Sequence, residues 1–360
     1  MSYEKTIRAG EGTLASEQEY DHHWCYERGI ITKAWVDVFE RTGDRRFFDA
    51  AKANVDRYVT EDGGILTYEP QKHNLDMICM GRTAIRMYKA TGEKKYELAC
   101  RRLTAQLEKQ PRTPEGGFWH KKIYPQQMWL DGIYMAQVFY ALYQQEFSGG
   151  DASDILRQIQ TVRERMFDEE KKLYYHGYDA SRTAFWADPV TGCSKSFWLR
   201  SIGWFSVALA DLLEIVTGPA WEILAGIFRE LMAGIAQYAD EDTGMYYQVP
   251  DQGSREGNYL ETSGSSMIAY AMLKGARLGV LEKEYAAKGQ KTFSGIVEKN
   301  LSFTGDALNL GGICLVAGLG PENNRRRDGS FEYYISEPMV ENDAKGVAPF
   351  ILCYTEMKRI

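Results

Sequence analysis

DMICMGRTAIRMYKATG (76–92), followed directly by EKKYELACRRLTAQLE (93–108), decides the fold. In both halves apolar side chains recur at spacings of three and four, the period of an amphipathic helix, and the first half stops at Thr91-Gly92, where glycine suits a left-handed helix end. The pair reads as a helical hairpin with a short joint.

The same pattern appears in both directions along the chain. GIITKAWVDVFERTG, DGIYMAQVFYALYQQ, LRSIGWFSVALADLLEIVTG and SGSSMIAYAMLKGARLG are first helices, and 44–59, 152–167, 219–239 and 283–301 are their partners. The joints at Gly43, Gly92, Gly149, Gly218 and Gly279 lie 49 to 69 residues apart, so the hairpin is an internal repeat. A sixth hairpin ends at GVAPFILCYTEMKRI. About twelve helices without polar capping repeats predict a closed all-α toroid over 1–360 as one domain, in preference to a two-domain helical bundle.

The totals narrow the function. The 43 basic and 50 acidic residues leave a net charge of −7, and the longest basic run is Arg325-Arg326-Arg327, which disfavours nucleic acid. Neither an apolar N-terminal stretch nor an apolar run near eighteen residues is present, so neither a signal peptide nor a membrane span is expected and the cytoplasm is the default compartment. The six scattered cysteines form no CxxC pair and read as buried small hydrophobes. His22 and His23 lack HxH or HExxH spacing, and the glycine pairs precede no phosphate-binding lysine, so no metal and no cofactor are expected.

What remains is in the long loops that follow each second helix, rich in Gly, Tyr, Trp and Asp; long aromatic loops in a compact fold tend to carry function. Asp76 and Asp131 each stand just before an apolar helical run, where a carboxylate can equally be a helix cap worth about 1 kcal/mol. Both follow histidines, His73 and His120, and the next loop brings His176 and Arg200, the latter flanked by Trp198 and Trp204. Aromatic faces, a few acids and one arginine suit a carbohydrate, with the arginine gripping a carboxylate by a two-pronged contact. Lys121 and Lys122 read as solvated loop charges.

At HNLDMI (73–78), GGFWHKKIYPQQMWLDGIYMAQVF (116–139), YYHGYD (174–179), FWLRSIGWFSVALADLLE (197–214), ETSGSSMIAYAMLKGARLG (261–279) and YYISEPMVENDAKGVAPFILCYTEM (333–357) the sequence resembles the unsaturated rhamnogalacturonyl hydrolases, glycoside hydrolase family 105. The resemblance covers essentially the whole chain and implies an (α/α)6 barrel. It implies that Asp131 and Asp76 are the catalytic acids, and that His120, His176, Arg200 and Trp204, together with Trp129, contact substrate. Where relatives often have Arg-Gly-Asn-Gly-Trp, this chain has Arg200-Ser201-Ile202-Gly203-Trp204.

The substrate so implied is the 4,5-unsaturated galacturonyl unit that lyases leave on pectin fragments. Its C4=C5 bond is a vinyl ether, so one acid suffices to start hydration, and Asp76 close to Asp131 would favour the protonated donor by like-charge repulsion. The expected partner is therefore a small unsaturated oligosaccharide. The alternatives are unsaturated glucuronyl hydrolysis of glycosaminoglycan or ulvan fragments, sugar 2-epimerisation by paired histidines, and a non-catalytic oligosaccharide-binding module.

Overall fold

The computed structural model describes residues 23–305 and 307–359; His22 lies outside them. The helices are α1 (Tyr26–Thr42), α2 (Arg45–Asp56), α3 (Gly81–Thr91) and α4 (Lys94–Glu108). An α turn Leu130–Gly132, a π-helical stretch Ile133–Gln137 and a helix Val138–Phe147 run on as α5 (130–147). There follow α6 (Ser153–Met166), α7 (Leu199–Ile215), α8 (Pro219–Ile235), α9 (Thr262–Arg277), α10 (Glu284–Asn300), the short α11 (Phe331–Ile335) and α12 (Ala344–Met357).

The two helix types differ in burial. Every residue of α7 from Leu199 to Leu213 is buried, and so is every residue of α9 from Thr262 to Gly275, whereas α2 buries chiefly Phe47, Phe48, Ala51 and Val55 and exposes its other face. A helix buried all round belongs inside, and one with a single apolar stripe covers it. Accordingly α1, α3, α5, α7, α9 and α12 form an inner ring in which each packs on the next and α12 returns to α1, with α2, α4, α6, α8 and α10 outside. This is the six-hairpin α/α toroid. The joints at Gly43 and Gly92 have the expected left-handed φ of 74° and 72°, and their N–H groups close the preceding helices on Phe39 and Tyr88.

Close packing in the ring depends on small residues. A Cβ on Gly264 of α9 would lie 2.5 Å from Leu199 Cγ, and one on Gly203 of α7 2.8 Å from Met267 Sδ. The strands are confined to the loops, as two-stranded ribbons. One of them, β1 (Gln127–Trp129) against the antiparallel strand Gly177–Asp179, joins the second and third long loops, with Trp129 opposite Gly177. All six cysteines are buried and none is joined in a disulfide. Among the described residues no helix is long and apolar enough to cross a membrane.

Candidate active site

The long loops lead into the N-terminal ends of the inner helices, and the acids singled out above sit at those ends. Asp76 lies in a 3-10 turn (Leu75–Ile78) just before α3, with its own N–H capped by Asn74 Oδ1 at 3.0 Å. Asp131 lies in the first turn of α5, and the turn is followed at once by the π stretch, a local irregularity that often accompanies functional sites. Neither carboxylate caps its own helix: Asn74 holds the first turn of one, and Trp129 begins the other with no side-chain cap.

Two histidine–aspartate pairs result. Leu130 N–H donates to the His176 carbonyl at 3.0 Å, which brings the start of α5 against the third loop and sets His176 Nε2 3.4 Å from Asp131 Oδ2. The other ring nitrogen, Nδ1, lies 2.8 Å from Tyr334 OH. Burial pushes the Tyr334 hydroxyl well above its ordinary pKa, so it stays protonated. In the tautomer in which that O–H donates to Nδ1, the Nε2 position carries the ring proton and faces Asp131. Neither Asp131 Oδ2 nor His176 Nε2 has an aligned hydrogen-bond partner, and the Asp131 side chain keeps 14% of its surface exposed. Buried groups left in this state cost stability and call for a reason.

The second pair is different in character. Asp76 Oδ1 is 3.5 Å from His120 Nε2, and Asp76 Oδ2 is 2.6 Å from Lys121 Nζ. Burial favours the neutral acid, but the Lys121 ammonium and the His120 ring outweigh it and hold Asp76 below the usual carboxylate range. His120 is pushed down to about 4, by burial first and by the Lys121 charge, against the pull of Asp76 and Asp131, so its ring is neutral near pH 7. Lys121 is therefore no solvated loop charge: its adjacency to His120 was the signal, and its partner lies in another loop. Because Asp76 carries its own counter-charge, the repulsion it exerts on Asp131 is screened.

Trp129 separates the two pairs. It stacks on His120 at 4.4 Å and on Tyr124 at 4.7 Å, and meets His176 edge-on at 5.4 Å, with 6% of its surface exposed. Its rings are engaged by protein, so it positions the histidines. Arg200, in the first turn of α7, directs Nη1 to the Cys314 carbonyl (2.5 Å) and Ser263 Oγ (3.3 Å) and Nη2 to the Leu315 carbonyl (3.3 Å), under the Trp198 ring. A two-pronged grip on a carboxylate would require some of those bonds to break. Trp198 in turn packs on His176 at 4.7 Å. Trp204, one turn deeper in α7, stacks on Tyr134 at 4.6 Å and is 2% exposed; it forms part of the floor. Tyr334 and Tyr124 were not singled out by sequence, although both lie in the segments that carry the resemblance.

His73 does not join the pairs, and His23 is exposed. Among the described residues no three His, Cys, Asp or Glu side chains gather as a metal ion would need. The cluster can hold a polar ring substrate among aromatic edges, present one carboxyl without a fixed partner, and supply a second carboxylate with a permanent cation. The converging helix N-termini favour negative charge at its mouth.

Comparison with known proteins identifies the family. The profile described as Glycosyl Hydrolase Family 88 matches residues 4–360. A family 105 glycoside hydrolase of C. acetobutylicum ATCC 824 superposes with a TM-score of 0.95 at 38% identity, over 100% of both chains. The 24.9 kDa protein of the picA locus of Rhizobium radiobacter is 42% identical over 190 residues, 51% of this chain and 81% of that protein. A heparin-specific unsaturated glucuronyl hydrolase shares the fold, with a TM-score of 0.68 at 14% identity over 99% of this chain and 96% of that one. With the family profile spanning nearly its whole length and a family 105 relative matching it end to end, the chain belongs to the family 88 and 105 glycoside hydrolases.

Proposed function

We propose that this glycoside hydrolase removes the 4,5-unsaturated galacturonyl residue from the non-reducing end of lyase-generated rhamnogalacturonan oligosaccharides, with Asp131 as general acid and base. The observation that carries the reading is Asp131 itself: a partly exposed carboxyl among aromatic rings, facing His176 Nε2 at 3.4 Å, with one oxygen uncommitted.

In this mechanism Asp131 gives a proton to C4 of the vinyl ether, and the ring oxygen stabilises the cation formed at C5. Water then adds to C5 and returns a proton to the Asp131 carboxylate. The hemiketal opens, breaking the C5 to ring-oxygen bond, and the hemiacetal left at C1 releases the partner sugar as an alcohol. No carboxylate attacks the glycosidic carbon, so the spacing of two acids does not set the outcome as it does in ordinary glycosidases. Asp76, kept anionic by Lys121, accepts from the water or a sugar hydroxyl. His176 steadies the Asp131 carboxylate when the proton has left, and neutral His120 binds a hydroxyl. Arg200 contributes its charge and its remaining N–H donors to the uronate, and Trp204 closes the floor beneath the sugar.

A panel of lyase-generated disaccharides scored for loss of the unsaturated chromophore tests the reading. Rapid turnover of the unsaturated galacturonyl-rhamnose disaccharide supports it. Preference for unsaturated glucuronyl disaccharides would move the chain to the glucuronyl specificity, and no turnover of any unsaturated uronide would overturn the mechanism.

A further inference from the structure

A groove of about 430 Å³ lies on the rim beside the catalytic end, between the loop 65–73 and the outer helix α4. Ile65 and Tyr68 give it an apolar wall, Gln71 and His73 polar edges, and Arg102 and Lys109 two cations. Apolar faces, amides and cations together suit a sugar that carries a carboxylate.

The groove is wired to the catalytic acid. Tyr68 OH donates to Gln106 Oε1 at 2.8 Å, Gln106 Nε2 donates to the Asn74 carbonyl at 3.3 Å, and Asn74 Oδ1 accepts from the Asp76 N–H at 3.0 Å. Gln110 Nε2 ties the carbonyls of His73 and Trp119, both at 2.8 Å, so the segment that separates groove from site is held at both edges. His73 lines the groove and lies three residues from Asp76, a chain distance of at most about 10 Å. It is kept in the left-handed region, φ 44°, a conformation that costs a non-glycine residue and persists where the surroundings impose it.

Charge points the same way. On a chain of net charge −7, Lys121 lies against Asp76, Lys122 is tied by its N–H to the Lys72 carbonyl beside the groove, and Arg102 and Lys109 line the groove itself. Among the described residues Arg102 meets only Asp62, donating to its carbonyl at 3.4 Å and lying 3.7 Å from its carboxylate, and Lys109 makes no ion pair. Leu66, next to Ile65 of the groove wall, and Ile123, close to Lys121 in the chain, are 52% and 65% exposed.

We propose that the groove is a subsite for the acidic sugar at the third position from the non-reducing end of a longer substrate, with Arg102 and Lys109 receiving its carboxylate and Ile65 and Tyr68 its ring face. The proposal rests on the reading of function given above. It makes the enzyme a binder of chains longer than a disaccharide, drawn from a backbone in which acidic and neutral sugars alternate.

The experiment measures the dissociation constants of the rhamnogalacturonan-derived unsaturated disaccharide and tetrasaccharide by calorimetry. It uses an Asp131→Asn chain, with and without Arg102→Ala and Lys109→Ala, beside steady-state assays of chains that retain Asp131. The tetrasaccharide is expected to bind more tightly than the disaccharide, and the double replacement to erase about two- to thirtyfold of that gain, the range for two exposed ionic contacts. The gain is also expected to shrink as salt is raised. Equal affinity for the two lengths, or a gain that survives the double replacement, overturns the subsite. A tetrasaccharide gain that the double replacement erases, in a protein that cleaves neither substrate, upholds the subsite and overturns the catalytic reading.

Discussion

The two ends of the inner ring differ in how completely they pair their polar groups, although Asp76 at the site end is tied to Lys121. At the end where the inner helices begin, Asp131 Oδ2, His176 Nε2 and His120 Nδ1 are buried without hydrogen-bond partners. At the end where they finish, acids are tied to cations. Around a cavity of about 170 Å³, Lys33 Nζ meets Asp37 at 2.7 Å and Lys274 meets Asp211 at 2.8 Å and Glu214 at 2.7 Å; next to it Arg277 meets Glu356 at 2.7 Å. Even Asp211 Oδ2, which lacks a hydrogen bond, lies 3.6 Å from Lys33. On α7 alone, Arg200 at one end and Asp211 at the other are about 16 Å apart along the axis.

The difference follows from what each end is for. Cations in the last turns complement the negative helix ends, and removing one member of a buried pair is costly. The other end forgoes that stability to keep groups available, the trade expected of a working site.

Replacing acids at the two ends should therefore fail in different ways. The largest expected effect is Asp131→Asn, with kcat lowered by on the order of a thousandfold and the melting temperature unmoved, read by chromophore loss and thermal melting. Lys274→Met should do the reverse: a loss of about 3 kcal/mol in urea unfolding, from removing the nearest cation of buried Asp211, which keeps only Lys33 at 3.6 Å and the Tyr270 hydroxyl, with kcat of the folded protein retained.

Next comes acid sensitivity. His120 is held near 4 in the fold and titrates near 6.5 when unfolded, so the unfolded chain binds more protons between those values. Stability then falls as pH drops through that window, by on the order of 3 kcal/mol, and His120→Gln should flatten this part of the curve. Asp37 and Asp211 are also depressed, by their lysines against burial; their contribution is present above about 3.8 and lost at lower pH, so the opposite end fails later in the same titration. The smallest effect is expected at Lys121→Met. With its counter-charge gone, the Asp76 carboxyl rises, kcat/KM drops by about tenfold and the acidic limb of the pH–rate profile moves up, both read from initial rates across pH.

The fold was legible because its signal is local. A 3.6-residue period and a glycine joint repeat often enough to count hairpins, and whether a helix lies inside or outside follows from whether one face or all faces are apolar. The site was legible only where types cluster in sequence, as in His120 to Asp131. Lys121 stood in that stretch and looked solvated, since its partner Asp76 reaches it only through folding. Tyr334 is 158 residues from the His176 ring it orients, and nothing in EYYISEP predicts that bond. Arg200 and Trp129 stand in the sequence as expected substrate contacts; that Arg200 also donates to the Cys314 and Leu315 carbonyls, and that Trp129 stacks on His120, is not revealed by residue type.

The most direct measurement places Asp131→Asn beside Asp211→Asn on the unsaturated galacturonyl-rhamnose disaccharide, at a temperature where both are folded. Chromophore loss should disappear in the first and continue near the wild-type rate in the second. Turnover surviving in Asp131→Asn, or lost in a folded Asp211→Asn, would contradict the division of labour between the two ends.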